Sequence, residues 1–545
     1  MVRVYSIVFV LLLFASCRST TPVDFVFYNG SIHHYGAEAA TYSGLVIHEG
    51  KVVAVGNGDS LLQAYEAKEK IDLQGGHLYP GWHDAHAHFT GYARGLQELD
   101  FRGDTSWTQC MGKISAFIEA NPKNAWIRGR GWDQNLWGGE YPDRSLLDSL
   151  FPNYFFYLSR VDGHAALVSG NVLEKLNMDT STQIQGGLLL RDASGNNLNG
   201  ILIDLATDMA AAQVPDLSDD EWETALLEAQ SSCLAQGITA ITEAGISLSM
   251  MQRIHKLQEQ GKLQLKFIVM FSPGEEEFKF AEENGIFETA NLKVSSFKLY
   301  ADGALGSRGA WLKKPYCDHS GQGLMLEDTA YFDSVCARIY QLGYQANTHC
   351  IGDAANGFIL STYAKYLGGV NDKRWRIEHA QVVDSQDFHF FKAYSIVPSV
   401  QPTHATSDMP WAEKRLCTDR MSGAYAYRSL LNVAGVLPLG TDFPVERIDP
   451  LHTVLAAVYR KNLELSPDHG FRTEEAISMV DCLRGMTWWP AWAGFKETQW
   501  GSLEPGKVAD FVWYGEAIES AKPEDLVGMK PLQTWINGKQ VCVLP

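Results

Sequence analysis

The sequence predicts an α/β fold, a (β/α)8 TIM barrel accompanied by a small composite β-sandwich that both termini build. Eight short apolar runs alternate with helical stretches through the middle of the chain, and eight parallel strands close such a barrel. Strand-like segments with tight turns occupy both ends of the chain. Side chains able to bind a metal follow several of the runs, at the strand ends where barrel active sites lie.

The domain organisation follows from these observations. We expect a signal or lipoprotein segment at 1–17, a β-sandwich from 22–76 and 500–545, and a barrel domain at 77–499. The gap between the first two candidate strands, roughly 150 residues, is far longer than one βα connection. It predicts an insertion of mixed structure at roughly residues 100–230 that roofs the barrel mouth. A strand count that is wrong by one or two would also explain the gap.

Each candidate barrel strand is a short apolar run bounded by turn or helix signals. The eight runs are His77–Asp84, Ile238–Glu243, Leu265–Phe271, Val294–Tyr300, Gly343–His349, Trp375–His379, Ser395–Val400 and Gly435–Thr441. In the two terminal regions, the dipeptides Glu49-Gly50 and Asn537-Gly538 each lie between two strand-like runs, a pattern typical of β-hairpins.

Charge and composition exclude several classes of protein. Lysine and arginine total 45 against 64 aspartate and glutamate residues, so the formal charge at pH 7 is −19. A surface this negative repels nucleic acid and anionic lipid headgroups, so neither is expected as a partner. A chain with 46% hydrophobic and 20% charged residues is typical of a folded globular protein rather than a disordered one.

The N-terminus has the pattern of an export signal. Arg3 precedes a largely apolar run over residues 4–15, which is shorter than the ~20 residues of a membrane-spanning helix. The following Phe14-Ala15-Ser16-Cys17 resembles a bacterial lipoprotein processing site. That resemblance implies cleavage before Cys17, lipidation of Cys17 and anchoring in the cell envelope or periplasm. Cleavage by an ordinary signal peptidase is the alternative, because Phe14 stands where leucine is commoner.

The cysteines do not form a recognisable metal or redox motif. Nine are present, and no two follow a CxxC spacing. An exported protein could oxidise some of them. In a chain of this size we expect isolated buried thiols.

The strand ends carry side chains that bind metals. In an extended chain, residues i and i+2 point to the same face, so His86 and His88 can converge on one ion. His83 has the opposite parity and is expected to point away. Histidines end the fifth and sixth runs 30 residues apart, the length of one βα unit. The candidate ligands are His86, His88, Lys298, His349, His379 and Asp442.

Four sequence motifs and two shorter stretches resemble the amidohydrolase superfamily. The motifs are Pro80 to His88, Phe297 to Gly303, Glu378 to Ala380 and Gly501 to Asp510. Gly129 to Asp133 and Asp302 to Arg308 are similar to the subgroup that contains N-substituted formamide deformylase, amidohydrolase family 3. This resemblance covers nearly all of the chain after the signal segment. It implies a metal-dependent hydrolase on a (β/α)8 barrel with a composite β-sandwich.

The ligand types favour zinc or a similar divalent ion. Three or four neutral imidazoles with a carboxylate suit Zn²⁺, in a site of one or two ions. Such an ion lowers the pKa of bound water towards ~7 and polarises a carbonyl. Asp442 is then the expected general base, which accepts the proton of the water and passes it to the leaving nitrogen.

Lys298 is the least usual candidate ligand, since a protonated amine is repelled by a cation. Burial lowers the pKa of a lysine, and the superfamily resemblance implies a carbamate on Lys298 that bridges two ions. The alternative is a lysine that orients substrate or pairs with Asp302. Glu243, which ends the second run, could replace Lys298 as a ligand, or could pair with a neighbouring arginine.

The expected function is hydrolysis of a carbon–nitrogen bond, an amide or N-formyl bond, in a small molecule. The candidate substrate-binding residues are His164 in the insertion and Asp302, Arg308 and Asp353 in the barrel loops. Two further functions use the same site, namely a deaminase and an N-acyl amino acid deacylase. An extracytoplasmic binding lipoprotein without activity is the alternative of another class. Asp442 favours the enzyme, because a binding protein has no need of a general base.

Overall fold

The computed structural model describes residues 21–122, 124–160, 165–184, 187–306 and 308–544. Two sequence-predicted functional residues, Cys17 and His164, lie outside the described residues. Chain contacts divide the protein into two compact units. Of the described residues, the first unit comprises those within 1–87, 233–252 and 264–545, and the second comprises those within 88–232 and 253–263.

Seven parallel strands of the first unit form a nearly closed barrel in a mixed α/β fold. In spatial order they are Trp82–Ala87, Ile238–Ile246, Lys266–Phe271, Leu292–Tyr300, Gln345–Cys350, Arg376–His379 and Val397–Ser399. The two-residue strand Phe287–Glu288 pairs antiparallel with the fourth of these. Every residue of the third strand is buried. Parallel strands covered on both faces have continuous apolar sequences, which is why the runs were visible in the sequence.

The expected eighth strand, Gly435–Thr441, is not a regular strand, but its residues complete the ring. Leu439 forms a parallel bridge with Val400, which directly follows the seventh strand. The Leu439 carbonyl also accepts a 3.1 Å hydrogen bond from Ala85 N in the first strand. Val400 N donates to Pro438 O at 3.1 Å, and Gly440 N donates to Val400 O at 3.0 Å. The closure therefore joins the first and last barrel elements without a continuous ladder.

The expected first strand, His77–Asp84, is two strands in the structure. His77–Pro80 pairs with strands of the terminal sheet, whereas Trp82–Ala87 belongs to the barrel. Gly81 separates them, and a Cβ added there would lie 2.2 Å from Thr239 Oγ1. The chain passes from one sheet to the other at a point where only glycine fits.

Strands from both termini pair in one eight-stranded sheet. Its strands are Thr21–Tyr35, Ala39–His48, Lys51–Gly56, Tyr65–Asp72, His77–Pro80, Phe511–Tyr514, Gln533–Ile536 and Lys539–Val543. Phe27 contacts both Phe511 and Trp535 edge to face, with ring centroids 5.3 and 5.4 Å apart. This aromatic core ties the first strand of the chain to the last ones.

The second unit contains chain that lies between the first two barrel strands. Its six-stranded sheet consists of Leu99–Asp100, Trp126–Trp132, Phe155–Arg160, Ala165–Val168, Gly187–Arg191 and Leu198–Asp204. Buried apolar side chains such as Ile114 and Trp132 give this unit its own core.

Helices connect the strands of both units. The α-helices are Gly58–Ala64, Phe89–Leu96, Trp107–Ala120, Ser145–Leu150, Gly170–Lys175, Leu205–Ala211, Asp219–Ala235, Leu248–Glu259, Glu275–Asn284, Thr329–Leu342, Asp353–Leu367, His389–Ala393, Pro402–Asp408, Ala412–Arg420, Tyr427–Ala434, Pro450–Val454, Met479–Gly485, Trp488–Ala493 and Pro523–Gly528. Leu455–Tyr459 is a π-helix, and short 3₁₀ turns lie at Gln134–Trp137, Met421–Gly423, Thr473–Glu475 and Ile518–Ser520. Among the described residues, none of the helices combines the length and apolarity needed to span a bilayer.

One pair of cysteines departs from the expectation of isolated thiols. Cys317 and Cys417 form a disulfide, with their Cα atoms 5.7 Å apart. The two cysteines are 100 residues apart in the sequence. They pair because the loop after the fourth barrel strand meets the helix Ala412–Arg420, which contains Cys417. The free cysteines of the described chain are Cys110, Cys233, Cys336, Cys350, Cys482 and Cys542, of which all but the last are buried.

Candidate metal centre

Two overlapping groups of possible metal ligands lie at the ends of the barrel strands. The first contains His86, His88 and Asp442, and the second contains His379, His404 and Asp442. Within each group, one ligand atom from every residue lies within 4.8 Å of those from the others. Asp442 belongs to both groups, so its carboxylate lies close to the imidazoles of each.

Other predicted residues contact these groups directly. Lys298 Nζ lies 3.0 Å from His86 Nε2, and Asp442 Oδ1 lies 3.6 Å from the same nitrogen. The ring centroids of His379 and His86 are 4.9 Å apart, and those of His379 and His349 are 4.5 Å apart. Side chains from the first, fourth, fifth and sixth barrel strands and from the closing segment therefore meet in one place.

His404 is a member of the site that sequence reasoning missed. It lies on the helix Pro402–Asp408, which follows the seventh strand, and its Nε2 is 3.5 Å from Asp442 Oδ2. Its ring stacks on that of His379 at a centroid distance of 5.7 Å. The sequence contains a signal for His404, because this histidine lies only four residues beyond the end of the seventh run. Other candidate ligands also lie at or just beyond the end of a run.

Hydrogen bonds to the far ring nitrogens orient two of the imidazoles. His86 Nδ1 lies 2.5 Å from Glu378 Oε2, and His379 Nδ1 lies 2.6 Å from Gln401 Oε1. An imidazole that donates its Nδ1 proton outward presents the lone pair of Nε2 to the centre, the arrangement typical of metal-ligating histidines. His83 instead bonds Thr242 Oγ1 at 3.1 Å, in agreement with its opposite parity.

Arg376 holds the Glu378 carboxylate in place. Its Nε and Nη2 donate to the two carboxylate oxygens at 2.6 and 2.9 Å, and Nη2 also donates to Ala85 O and Ser399 Oγ. Burial raises the pKa of Glu378, but the charge of Arg376 and the hydrogen bond with His86 outweigh it and bring that pKa to about 2. The glutamate is therefore ionised and fixed behind His86.

Burial keeps three of the imidazoles, those of His86, His349 and His379, neutral. Burial and the nearby Lys298 lower the pKa of His86 to about 4 and that of His349 to about 3. Burial and the neighbouring histidines hold the pKa of His379 well below its usual range. Burial also lowers the pKa of Lys298 to about 8, against the opposing charges of Glu378 and Asp442. Neutral imidazoles are the form that binds a metal.

The residues present fit a divalent cation. Among the described residues, the buried Nε2 atoms of His349 and His404 have no hydrogen-bond partner. A buried polar atom without a partner is costly, and a cation would satisfy both atoms. Imidazole nitrogens with a carboxylate oxygen are the ligand set that zinc and related ions prefer.

Asp84 connects the strand that carries His86 to the segment that carries Asp442. Its Oδ1 accepts hydrogen bonds from His86 N and Thr441 N, both at 3.1 Å, and its Oδ2 accepts one from Thr441 Oγ1 at 2.6 Å. Asp442 N in turn donates to His86 O at 2.8 Å. A Cβ added at Gly440 would lie 2.5 Å from His86 N, so glycine permits this approach.

The other candidate residues lie outside the two ligand groups found among the described residues. Asp302 is buried and accepts hydrogen bonds from the backbone N–H groups of Ile351, Gly352 and Trp311 at 2.8–2.9 Å. Its Oδ1 is also 3.7 Å from His349 Nε2. The carboxylate thus holds together the loops that follow the fourth and fifth strands.

The last three candidates, Asp353, Arg308 and Glu243, also lie in the first unit. Asp353 Oδ1 accepts a hydrogen bond from the Lys313 backbone at 2.8 Å, and Arg308 forms an ion pair with Asp318 at 2.9 Å. Glu243 is buried in the second barrel strand, where it lies opposite Ala87 of the first. The His164 prediction lies outside the described residues.

Comparisons with known proteins identify the family of the chain and relatives of its fold. The model of the amidohydrolase family matches residues 69–542. The chain is 29% identical to Protein LONG AFTER FAR-RED 3 of Arabidopsis thaliana, over 97% of this chain and 94% of the plant protein. It is 22% identical to N-substituted formamide deformylase of Arthrobacter pascens, over 94% of this chain and 97% of that enzyme. The crystal structure of an uncharacterized metal-dependent hydrolase from Pyrococcus furiosus superposes with a TM-score of 0.77 at 25% identity, covering 92% of this chain and 99% of that one.

Glu378→Gln tests the orientation of His86. The amide lacks the charge that fixes the imidazole, so we expect the affinity for Zn²⁺ to fall about 10- to 100-fold. Competition with a chromogenic chelator measures this affinity, at a temperature where circular dichroism shows both proteins folded. Glu475→Gln is the matched control, since Glu475 is also buried but bonds Ser429. Equal zinc affinities in wild type and Glu378→Gln would contradict the orienting role.

Proposed function

We propose, from the premise that the chain belongs to the amidohydrolase family, that this metal-dependent hydrolase cleaves the carbon–nitrogen bond of a small-molecule amide, N-formyl amides included. The convergence of Asp442 with four imidazoles at one end of the barrel carries the proposal. The N-substituted formamide deformylase among its relatives supports an amide or formamide as the substrate.

The proposed ligands of the ion are His86, His88, His349, His379, His404 and Asp442. All but His349 belong to the two groups described above, and among the described residues the buried Nε2 atom of His349 has no hydrogen-bond partner. A bound divalent ion acidifies water and polarises the scissile carbonyl. Zinc is the proposed ion, because the donors are mostly imidazole nitrogens. Glu378 and Gln401 keep the far nitrogens of His86 and His379 engaged, so these rings do not turn during the reaction.

Asp442 moves the proton in the proposed reaction. Its carboxylate accepts a proton from the attacking water while the water oxygen bonds to the carbonyl carbon. The bond from that carbon to nitrogen then breaks, and Asp442 returns the proton to the leaving nitrogen. The closing hydrogen bond from Asp442 N to His86 O fixes the carboxylate beside the imidazoles for both transfers.

We propose that Lys298 is carboxylated and supplies a bridge between two ions. Its side chain is fully buried, and its Nζ is 3.0 Å from His86 Nε2. The neutral amine attacks carbon dioxide, an N–C bond forms, and one proton leaves the nitrogen. The product is a carboxylate, so it ligates cations that the ammonium form repels. The lowered pKa of Lys298, about 8, supports this because it makes the neutral amine accessible.

Asp442→Asn tests the proton transfer. We expect the rate on a panel of N-formyl and N-acyl amides to fall roughly 100- to 10,000-fold, because an amide cannot accept the proton. Metal content is measured on the same sample, which separates loss of the base from loss of a ligand. Asp468→Asn, at an exposed carboxylate, is the control. Wild-type turnover that survives both this substitution and a chelator would refute the mechanism, and no turnover on any amide would favour a binding protein.

Lys298→Met tests the carbamate. We expect two metal ions per wild-type chain by elemental analysis, one in the variant, and a carboxyl adduct on Lys298 by intact-mass measurement near neutral pH. Lys266→Met is the matched control, because Lys266 is equally buried but pairs with Asp510. A single ion with an unmodified Lys298 in freshly purified wild type would rule out the bridge and leave a one-ion mechanism.

We also propose that the protein is exported and anchored in the cell envelope through a lipid on Cys17. The Cys317–Cys417 disulfide supports export, because such bonds persist in oxidising compartments. In a bacterial host we expect the wild type in the membrane fraction and Cys17→Ser in the soluble periplasmic fraction. A cleaved but soluble wild type would instead indicate an ordinary signal peptidase, and a cytoplasmic wild type would refute export.

A further inference from the structure

A polar pocket lies beside the helix that carries His404. It has a volume of about 290 Å³, close to the lower end of the range for small-ligand sites. Thr403 and Leu455 form part of its buried floor, whereas Ser407 and Arg447 are exposed at its rim. The pocket is therefore open to solvent and large enough for one small group.

Among the described residues, cations without a carboxylate partner lie in and beside the segments that line this pocket. Arg447 and Lys461 both line it, and among the described residues neither has a carboxylate within 4.0 Å. Arg460, next to Lys461, is fully buried and also lacks a carboxylate partner in the described chain. Its guanidinium lies 4.9 Å from the ring centroid of Tyr427 and donates only to carbonyl oxygens. In a chain of net charge −19, three neighbouring cations without a carboxylate are unusual.

The floor of the pocket presents an unused hydrogen-bond group. Thr403 is only 7% exposed, and within the described residues its Oγ1 has no hydrogen-bond partner. A buried hydroxyl without a partner costs free energy, and an acceptor in the pocket would remove that cost. The nearby Thr406 differs, because its hydroxyl already donates to Thr403 O at 3.0 Å.

The acidic residues of the pocket leave these cations available. Glu446 accepts a hydrogen bond from Ser407 Oγ, and Glu464 is exposed at the rim. His452 Nε2 lies 3.7 Å from Asp449 Oδ2, and Asp449 also forms an ion pair with Lys530. Among the described residues, the pocket thus offers two cationic side chains without a carboxylate partner and one hydroxyl without a hydrogen-bond partner, a set that matches the oxygens of an anion.

We propose that this pocket binds a carboxylate or phosphate group, held by Arg447 and Lys461 with the Thr403 hydroxyl as a third donor. Thr403 directly precedes His404, and Glu446 lies four residues after Asp442. A bound anion therefore contacts the helix and the loop that carry two members of the candidate metal centre. The anion is either an acidic group of the substrate or a free anion that acts on the same helix.

Binding of inorganic phosphate to the metal-loaded full chain tests the proposal. Titration calorimetry is carried out at constant ionic strength, with sodium chloride as the balancing salt. We expect saturable binding to the wild type, and an affinity at least about tenfold lower in the double variant Arg447→Gln and Lys461→Gln, since charge-assisted hydrogen bonds are lost. Thr403→Val, which keeps the shape but removes the donor, should weaken binding severalfold. Lys70→Gln, at an exposed lysine of the terminal sheet, should bind as the wild type does.

Two results would overturn the proposal. One is the absence of saturable phosphate binding to the wild type. The other is equal binding to the wild type and the double variant, which would place the phosphate on the metal instead. Circular dichroism and metal analysis of the double variant confirm that its fold and metal content are unchanged before this comparison is made.

Once binding is established, kinetics separate the two sources of the anion. If the anion belongs to the substrate, the double variant raises KM for an amide that carries a carboxylate and leaves KM for its neutral analogue unchanged. If the anion is free, phosphate changes kcat on the neutral amide in the wild type and not in the double variant. Either outcome supports the pocket as an anion site. This arm depends on the proposed amide hydrolysis, whereas the calorimetry does not.

Discussion

The hydrogen bond from Asp442 N to His86 O is the contact on which the site depends. It is 2.8 Å long and connects the closing segment to the first barrel strand. Asp84 reinforces it with three further hydrogen bonds, to His86 N and to the backbone and hydroxyl of Thr441. Because these contacts complete the ring, a carboxylate from the end of the barrel meets an imidazole from its beginning.

Charge inside the centre is balanced by a small number of buried contacts. Glu378 is ionised although it is fully buried, because Arg376 donates to both of its oxygens. Its carboxylate in turn aligns His86, whose own pKa is lowered to about 4 by burial. His86 is thus a neutral, oriented donor beside Asp442. Such a donor binds a cation without first having to release a proton.

Much of the fold was readable from the sequence, because buried parallel strands have a local apolar signature. Six of the expected runs, the second to the seventh, correspond to barrel strands within a few residues, and the first overlaps one in part. The alternation of side chains along a strand also separated His86 from His83, which bonds Thr242. His404 was missed because it lies on a helix beyond a strand end. The break at Gly81 was missed because it depends on the approach of Thr239.

The sequence by itself determined which segments are strands and which residue types stand at their ends, since hydropathy and side-chain parity are properties of neighbouring residues. Only the tertiary structure decided which of those residues meet. Glu378 orients His86 across 292 positions of the chain, and no local pattern encodes such a contact. Ring closure and strand register bring these partners together, and both depend on pairing between segments that are distant in sequence.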